Sequence, residues 1–185
     1  MAQGTIYWYR LPMSEAEVSA QIAFFRENGY SLTNPGTGKV IRLGPEGERI
    51  ETAVAPLQAD IATVDEVITQ FWLRRDTDLV CTFRRISSQL QVQLYSLAGF
   101  GEDRDSHATL LWSAFRRNLA VSQALIIDRY GRAEDMDWNE VALTGSVSGL
   151  TVLPSLMAVR QEPADRLRPD ADSNSFMLVG LGPDD

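Results

Sequence analysis

Cysteine, histidine and lysine each occur once in this 185-residue chain, as Cys81, His107 and Lys39. A lone cysteine forbids an intrachain disulfide. With one histidine beside it, the three or four Cys and His ligands of a zinc site, or a CxxC redox centre, cannot be assembled. No metal or cofactor is expected. Schiff-base chemistry is confined to Lys39. Long hydrophobic runs are missing too: the longest unbroken apolar stretches are about four residues, far short of a membrane span. Met1 to Thr5 lacks the basic stretch and apolar run of a secretory signal, so a cytoplasmic location is expected.

What is present is the composition of a globular chain, 44% hydrophobic and 23% charged, with 25 acidic against 17 basic residues and a net charge of −8. A chain of this size buries roughly 70% of its unfolded surface, enough for a full core without staples. One domain spanning 1–185 is the natural count, with an exposed loop rich in proline and charge near 162–174.

Periodicity marks three amphipathic helices. The first runs from Ser14 to Asn28, with Ser14 and Glu17 as a capping box, Val18, Ile22 and Phe25 on one face and Gly29 as the stop. The second starts near Thr63, where Val64, Val67, Ile68, Phe71 and Trp72 fall at helical spacing. The third covers about Asp105 to Asn118. Gln89 to Leu94 alternates strictly, which predicts a strand with one wet and one buried face, paired with Leu79 to Phe83 across a turn near Ser87 and Ser88. Weaker strands are Thr5–Tyr9, Lys39–Leu43, Arg49–Val54, Ala124–Asp128 and Phe176–Val179. Hairpins outnumber crossovers. The expected fold is therefore α+β, a mainly antiparallel sheet covered on one face by about three helices, with two successive helix-hairpin units that hint at duplication.

Catalytic motifs fail one after another. Asn34-Pro35-Gly36-Thr37-Gly38-Lys39 resembles a phosphate loop, but Val40 stands where a Ser or Thr should hold magnesium and a strand follows, so a glycine-rich turn explains it. Gly145-Ser146-Val147-Ser148-Gly149 carries valine at the centre of a would-be nucleophile elbow, with no histidine after it. Cys81 and His107 are a nominal nucleophile and base, though a lone mid-strand cysteine reads as a small buried hydrophobe. Asp135-Met136-Asp137-Trp138-Asn139 begins like a calcium loop but has Glu140 where glycine should turn and Ser146 where glutamate should close. Of the doublets Arg74-Arg75, Arg84-Arg85 and Arg116-Arg117, two close expected helices and complement the C-terminal dipole; if the three converge, they bind an anion. At a net charge of −8, nucleic acid is not an expected partner.

Acidity gathers in two places, Glu102, Asp103 and Asp105, and then Asp135, Asp137 and Glu140 beside Trp138. Acids around an aromatic anchor form a plausible face for a basic partner, since charge steers encounter and Trp dominates hot spots. The plainer account is that these loops keep the domain soluble and Trp138 turns inward. The leading functional expectation is a non-enzymatic acidic binding protein that caps or neutralises a basic protein, such as a nuclease-like toxin, as immunity proteins do. The alternative is a small enzyme or ligand-binding domain with a carboxylate and arginine site in a groove between sheet and helix. A third is a subunit of a homodimer or obligate complex, joined through an edge strand or apolar stripe.

Overall fold

The computed structural model describes residues 4–97, 101–133, 136–144, 152, 154–160 and 177–181. Glu134, Asp135, the 145–149 turn and the 162–174 loop lie outside the described residues. Nine strands join one sheet. They are β1 (Gly4–Arg10), β2 (Val40–Leu43), β3 (Arg49–Thr52), β4 (Glu66–Arg74), β5 (Thr77–Arg85), β6 (Gln91–Leu97), β7 (Ser122–Asp128), β8 (Leu156–Arg160) and β9 (Met177–Leu181), in spatial order β3-β2-β4-β5-β6-β1-β7-β8-β9. Every neighbouring pair is antiparallel except β8 with β9. The helices are α1 (Glu15–Glu27), α2 (Val54–Thr63), α3 (Gly101–Arg117) and the short α4 (Trp138–Thr144). This is the α+β fold that the hairpin-rich sequence pattern predicts. None of the helices among the described residues is long and apolar enough to cross a membrane.

Local chemistry sets α1. The Ser14 hydroxyl accepts from the Glu17 N–H, and the Glu17 carboxylate accepts from the Ser14 N–H at 2.8 Å, closing the capping box. Gly29, at φ 87°, lets the chain leave the last turn. Phe25 then anchors the helix to the sheet, edge-on to Phe71 at 4.8 Å between ring centres and packed beside Tyr30 and Tyr95.

Two elements depart from the sequence reading. The stripe from Val64 to Trp72 is not a helix: α2 ends at Thr63 and residues 66–74 form β4. This strand is apolar on both faces, with Val67 and Phe71 in the helix-side core and Ile68 and Trp72 behind it, so its residues satisfy helical and strand spacing at once. The real helix lies just before. It packs Leu57 and Ile61, one turn apart, and places Pro56 in its first turn, where no N–H is needed.

The second departure concerns β6, whose glutamine face is not in water. Ile6, Trp8 and Arg10 of β1 pair with Tyr95, Gln93 and Gln91, and this face lies under α1, α2 and α3. Gln93 is 0% and Gln91 1% exposed. Their amides are buried because they find partners. Gln21 of α1 exchanges bonds with Gln93, donating to its Oε1 at 2.8 Å and accepting from its Nε2 at 3.2 Å, and also donates to the Tyr95 hydroxyl at 2.8 Å. Arg10 donates to Glu17 at 2.9 Å and lies over the Trp8 ring. Gln91 accepts from the Met13 N–H and donates to the Ile61 carbonyl, tying α2 and the segment that leads into α1 to the sheet. The opposite face holds a second core of Tyr9, Val92, Ile126, Met157 and Trp138, covered in part by α4.

Candidate functional site

The polar network beneath α1 is closed on itself, since none of its buried side-chain polar atoms lacks a partner. An open groove of about 440 Å³ lies instead between the end of α1 and the first half of α3. Asn28 and Tyr30 line one side, Leu73 the end of β4, and Asp105, Ser106, Thr109, Leu110 and Ser113 the α3 side. These α3 positions recur at helical spacing, so one stripe of the helix forms the wall. Among the described residues Asp105 is the single charged lining residue.

Behind Tyr30 sits the only histidine. His107 is 0% exposed, its Nδ1 shares a hydrogen bond of 2.7 Å with the Tyr30 hydroxyl, and its Nε2 has no partner. Burial lowers the His107 pKa, opposed by Asp103 and Asp78 and reinforced by Arg74. Burial and Asp103 push the Tyr30 phenol up to about 12, against Arg74. At neutral pH the pair is therefore an uncharged imidazole against an uncharged phenol, which suits hydrogen bonding.

This pair makes a pH-dependent contribution to stability. Unfolded His107 takes a proton at its ordinary value near 6.5, whereas the buried imidazole resists it to lower pH. Between those values the unfolded chain binds more protons, so stability is full above pH 6.5, declines as pH falls below it and levels off beneath the folded pKa. His107→Gln is expected to flatten that decline in urea midpoints measured across this range, and an unchanged slope would assign it to other groups.

Three of the acids singled out by sequence are occupied locally. Asp103 pairs with Arg74, and Asp105 with Arg129 at 3.0 Å. The Asp137 carboxylate accepts from the N–H groups of Asn139 and Glu140 at 3.0 and 3.2 Å, as an N-cap of α4. Trp138, expected as an exposed anchor, is 2% exposed in the second core, tilted against Tyr7 at 6.4 Å. Its apolar ring gains more from the sheet than from water. Glu140 is exposed; Glu102 lies in α3, and Asp135 falls outside the described residues.

Asp105 and Asp137, one from each acid set, do not meet. Asp137 lies in the field of Tyr9, which pairs with Ala124, whereas Arg129 follows Asp128 at the far end of β7. Four residues of strand separate those ends by roughly 13 Å. The arginine doublets do not converge either. Arg74 ends a strand rather than a helix and pairs with Asp103, Arg84 pairs with Glu66, Arg85 donates to the Ala62 carbonyl, and Arg117 lies over the Phe24 ring.

The nominal catalytic pair is likewise apart in role. Burial raises the Cys81 thiol well above its usual range, next to Tyr95, while His107 is committed to Tyr30. Asn34 Oδ1 accepts from the Gly36 and Thr37 N–H groups, so the glycine-rich segment is a turn. Among the described residues no group of three or more His, Cys, Asp or Glu is placed to hold a metal. Comparison with protein-family models, curated proteins and solved structures finds no match to this chain.

Proposed function

We propose that this chain is an acidic binding module that takes a basic protein segment into the groove between α1 and α3, capping or neutralising its partner by occlusion. The observation that carries the reading is the lining: Asn28, Ser106, Thr109 and Ser113 offer hydrogen-bonding groups, Asp105 offers charge, and among the described residues no basic side chain lines the cavity. Asp103, two residues before Asp105 in α3, adds a second carboxylate on this side of the groove, shared with Arg74. An incoming arginine would compete with Arg129 for Asp105, and that exposed pair is cheap to break.

The test uses an arginine-rich peptide and a neutral peptide of equal length, followed by calorimetry and amide chemical-shift mapping. Saturable binding of the arginine peptide is expected, weakening with salt and shifting Asn28, Thr109 and Ser113. Asp105→Lys should reduce affinity about tenfold, the loss of one charge-assisted contact. Equal affinity in Asp105→Lys, or shifts centred on Asp137 and Glu140, would remove the groove from the account. The cavity also has the volume of a small-ligand site, and a polar metabolite reaching Tyr30 is the second reading.

A further inference from the structure

Strand β3 forms one margin of the sheet, bonded to β2 and, among the described residues, to nothing on its other side. Arg49, Ile50 and Glu51 are all exposed, with Ile50 at 45%. The direction of its free backbone groups follows from the neighbours of β2. Ile41 turns its carbonyl toward β4, where Thr69 Oγ1 donates to it at 2.7 Å, and Lys39 turns its carbonyl the same way to the Asn34 N–H. Ile41 therefore does not bond across to its partner Glu51, nor Leu43 to Arg49, because antiparallel pairs alternate between bonded and unbonded. The N–H and C=O groups of Arg49 and Glu51 consequently point outward at the sheet margin, unpaired among the described residues.

We propose that this margin pairs with a second copy of itself, antiparallel about Ile50, in a two-fold dimer with one continuous sheet. In that register Arg49 faces Glu51 of the second copy and Glu51 faces its Arg49, while the two Ile50 side chains meet on the axis. Backbone and side chains agree on this register. Arg49 and Glu51 are the residues with outward backbone groups, so each cross-pair exchanges two hydrogen bonds, and each joins opposite charges. Proteins blunt free edges with short strands, charges, proline or bulges; β3 is short and charged but has no proline or register break, and its charges are of opposite sign, so self-pairing matches them rather than opposing like with like. Lys39 reaches Glu51 at 3.1 Å in an exposed pair that can be shared or exchanged. A strand of four residues makes a small contact, so the dimer belongs to the weak, concentration-dependent class.

Charge swapping tests the register. Arg49→Glu places like charges opposite each other in both cross-pairs, and Glu51→Arg does the same with positive charge. Each variant alone is expected to dimerise about tenfold more weakly than the wild type in sedimentation equilibrium, the sum of two reversed cross-strand pairs. Mixed one to one, the variants restore complementary pairs and should recover wild-type affinity as a heterodimer. Both positions are exposed, so circular dichroism should remain that of the native fold. A wild-type chain monomeric up to roughly millimolar concentration overturns the proposal, a range that covers weak association. Single variants that dimerise as well as the wild type also overturn it, by placing the contact elsewhere, as does a mixture that stays monomeric.

Discussion

Glu17→Ala is expected to destabilise the protein by about 3 kcal/mol, against about 1 kcal/mol for Ser14→Ala, although both open the same capping box. The difference is Arg10. Its guanidinium is 1% exposed and stays charged, and its close partner is Glu17 at 2.9 Å. The remaining bonds, to the Leu11 carbonyl and Gln21, are long at 3.3 and 3.5 Å. Removing the carboxylate leaves a buried cation with poor compensation. The Glu17 side chain is 40% exposed, which screens the pair and holds the expectation at the lower end for broken buried ion pairs. Arg10→Met combined with Glu17→Gln should recover most of the loss, since an apolar side chain fills the space without a charge. Urea unfolding of the three variants decides the matter, and a cost in Glu17→Ala no larger than in Ser14→Ala would show that Arg10 is compensated elsewhere.

The same pair has a pH signature. Burial alone would raise the Glu17 carboxyl, but hydrogen bonds from Ser14 and the Arg10 guanidinium together hold it below its ordinary value of 4.5. A carboxyl depressed in the folded state adds stability above pH 4.5 that is lost as pH falls through the folded value.

Gln93→Lys is the second large expectation, at about 4 kcal/mol or more. Gln89, in the same alternating run, is exposed, and Gln89→Lys should stay within about 0.5 kcal/mol. At position 93 the amide gives and takes a bond with Gln21, accepts from the Tyr95 hydroxyl and touches the Met13 sulfur. An ammonium there would lose those acceptor functions while sitting close to Arg10. Thermal unfolding of the two lysine variants separates the cases, and similar midpoints would put the glutamine face in water.

This contrast marks where sequence is legible and where it is not. The Ser14–Glu17 box and the β5–β6 hairpin are local, and their residues announce them. Alternation in β6 reveals a strand correctly but not that both of its faces are covered, because buried glutamines are stable only when Gln21, 72 positions away, meets them. The β4 stripe was ambiguous because a strand buried on both faces mimics a helical face. Helix α2 had no capping side chain at Ala53 to declare its start. Neighbouring acids suggested a shared face, yet sequence cannot show that Asp137 is spent on its own helix. The groove joins Tyr30 to His107 across 77 positions, and nothing near either residue signals that meeting.

The placement of β1 bears on how the chain comes to be folded at all. This first strand lies inside the sheet, between β6 and β7, with Gly4 paired to Leu97 and Thr5 to Asp128. During synthesis at roughly 5–20 residues per second, Ile6 and Trp8 emerge many seconds before either partner strand exists. Pairings this distant cost loop entropy before they return any contact, so a folding time in milliseconds to seconds is expected. A nascent chain paused after Leu97 would hold β1 and β6 with one flank of β1 open, an apolar margin ready for a chaperone or for another unfinished chain. Arrival of β7 closes that margin.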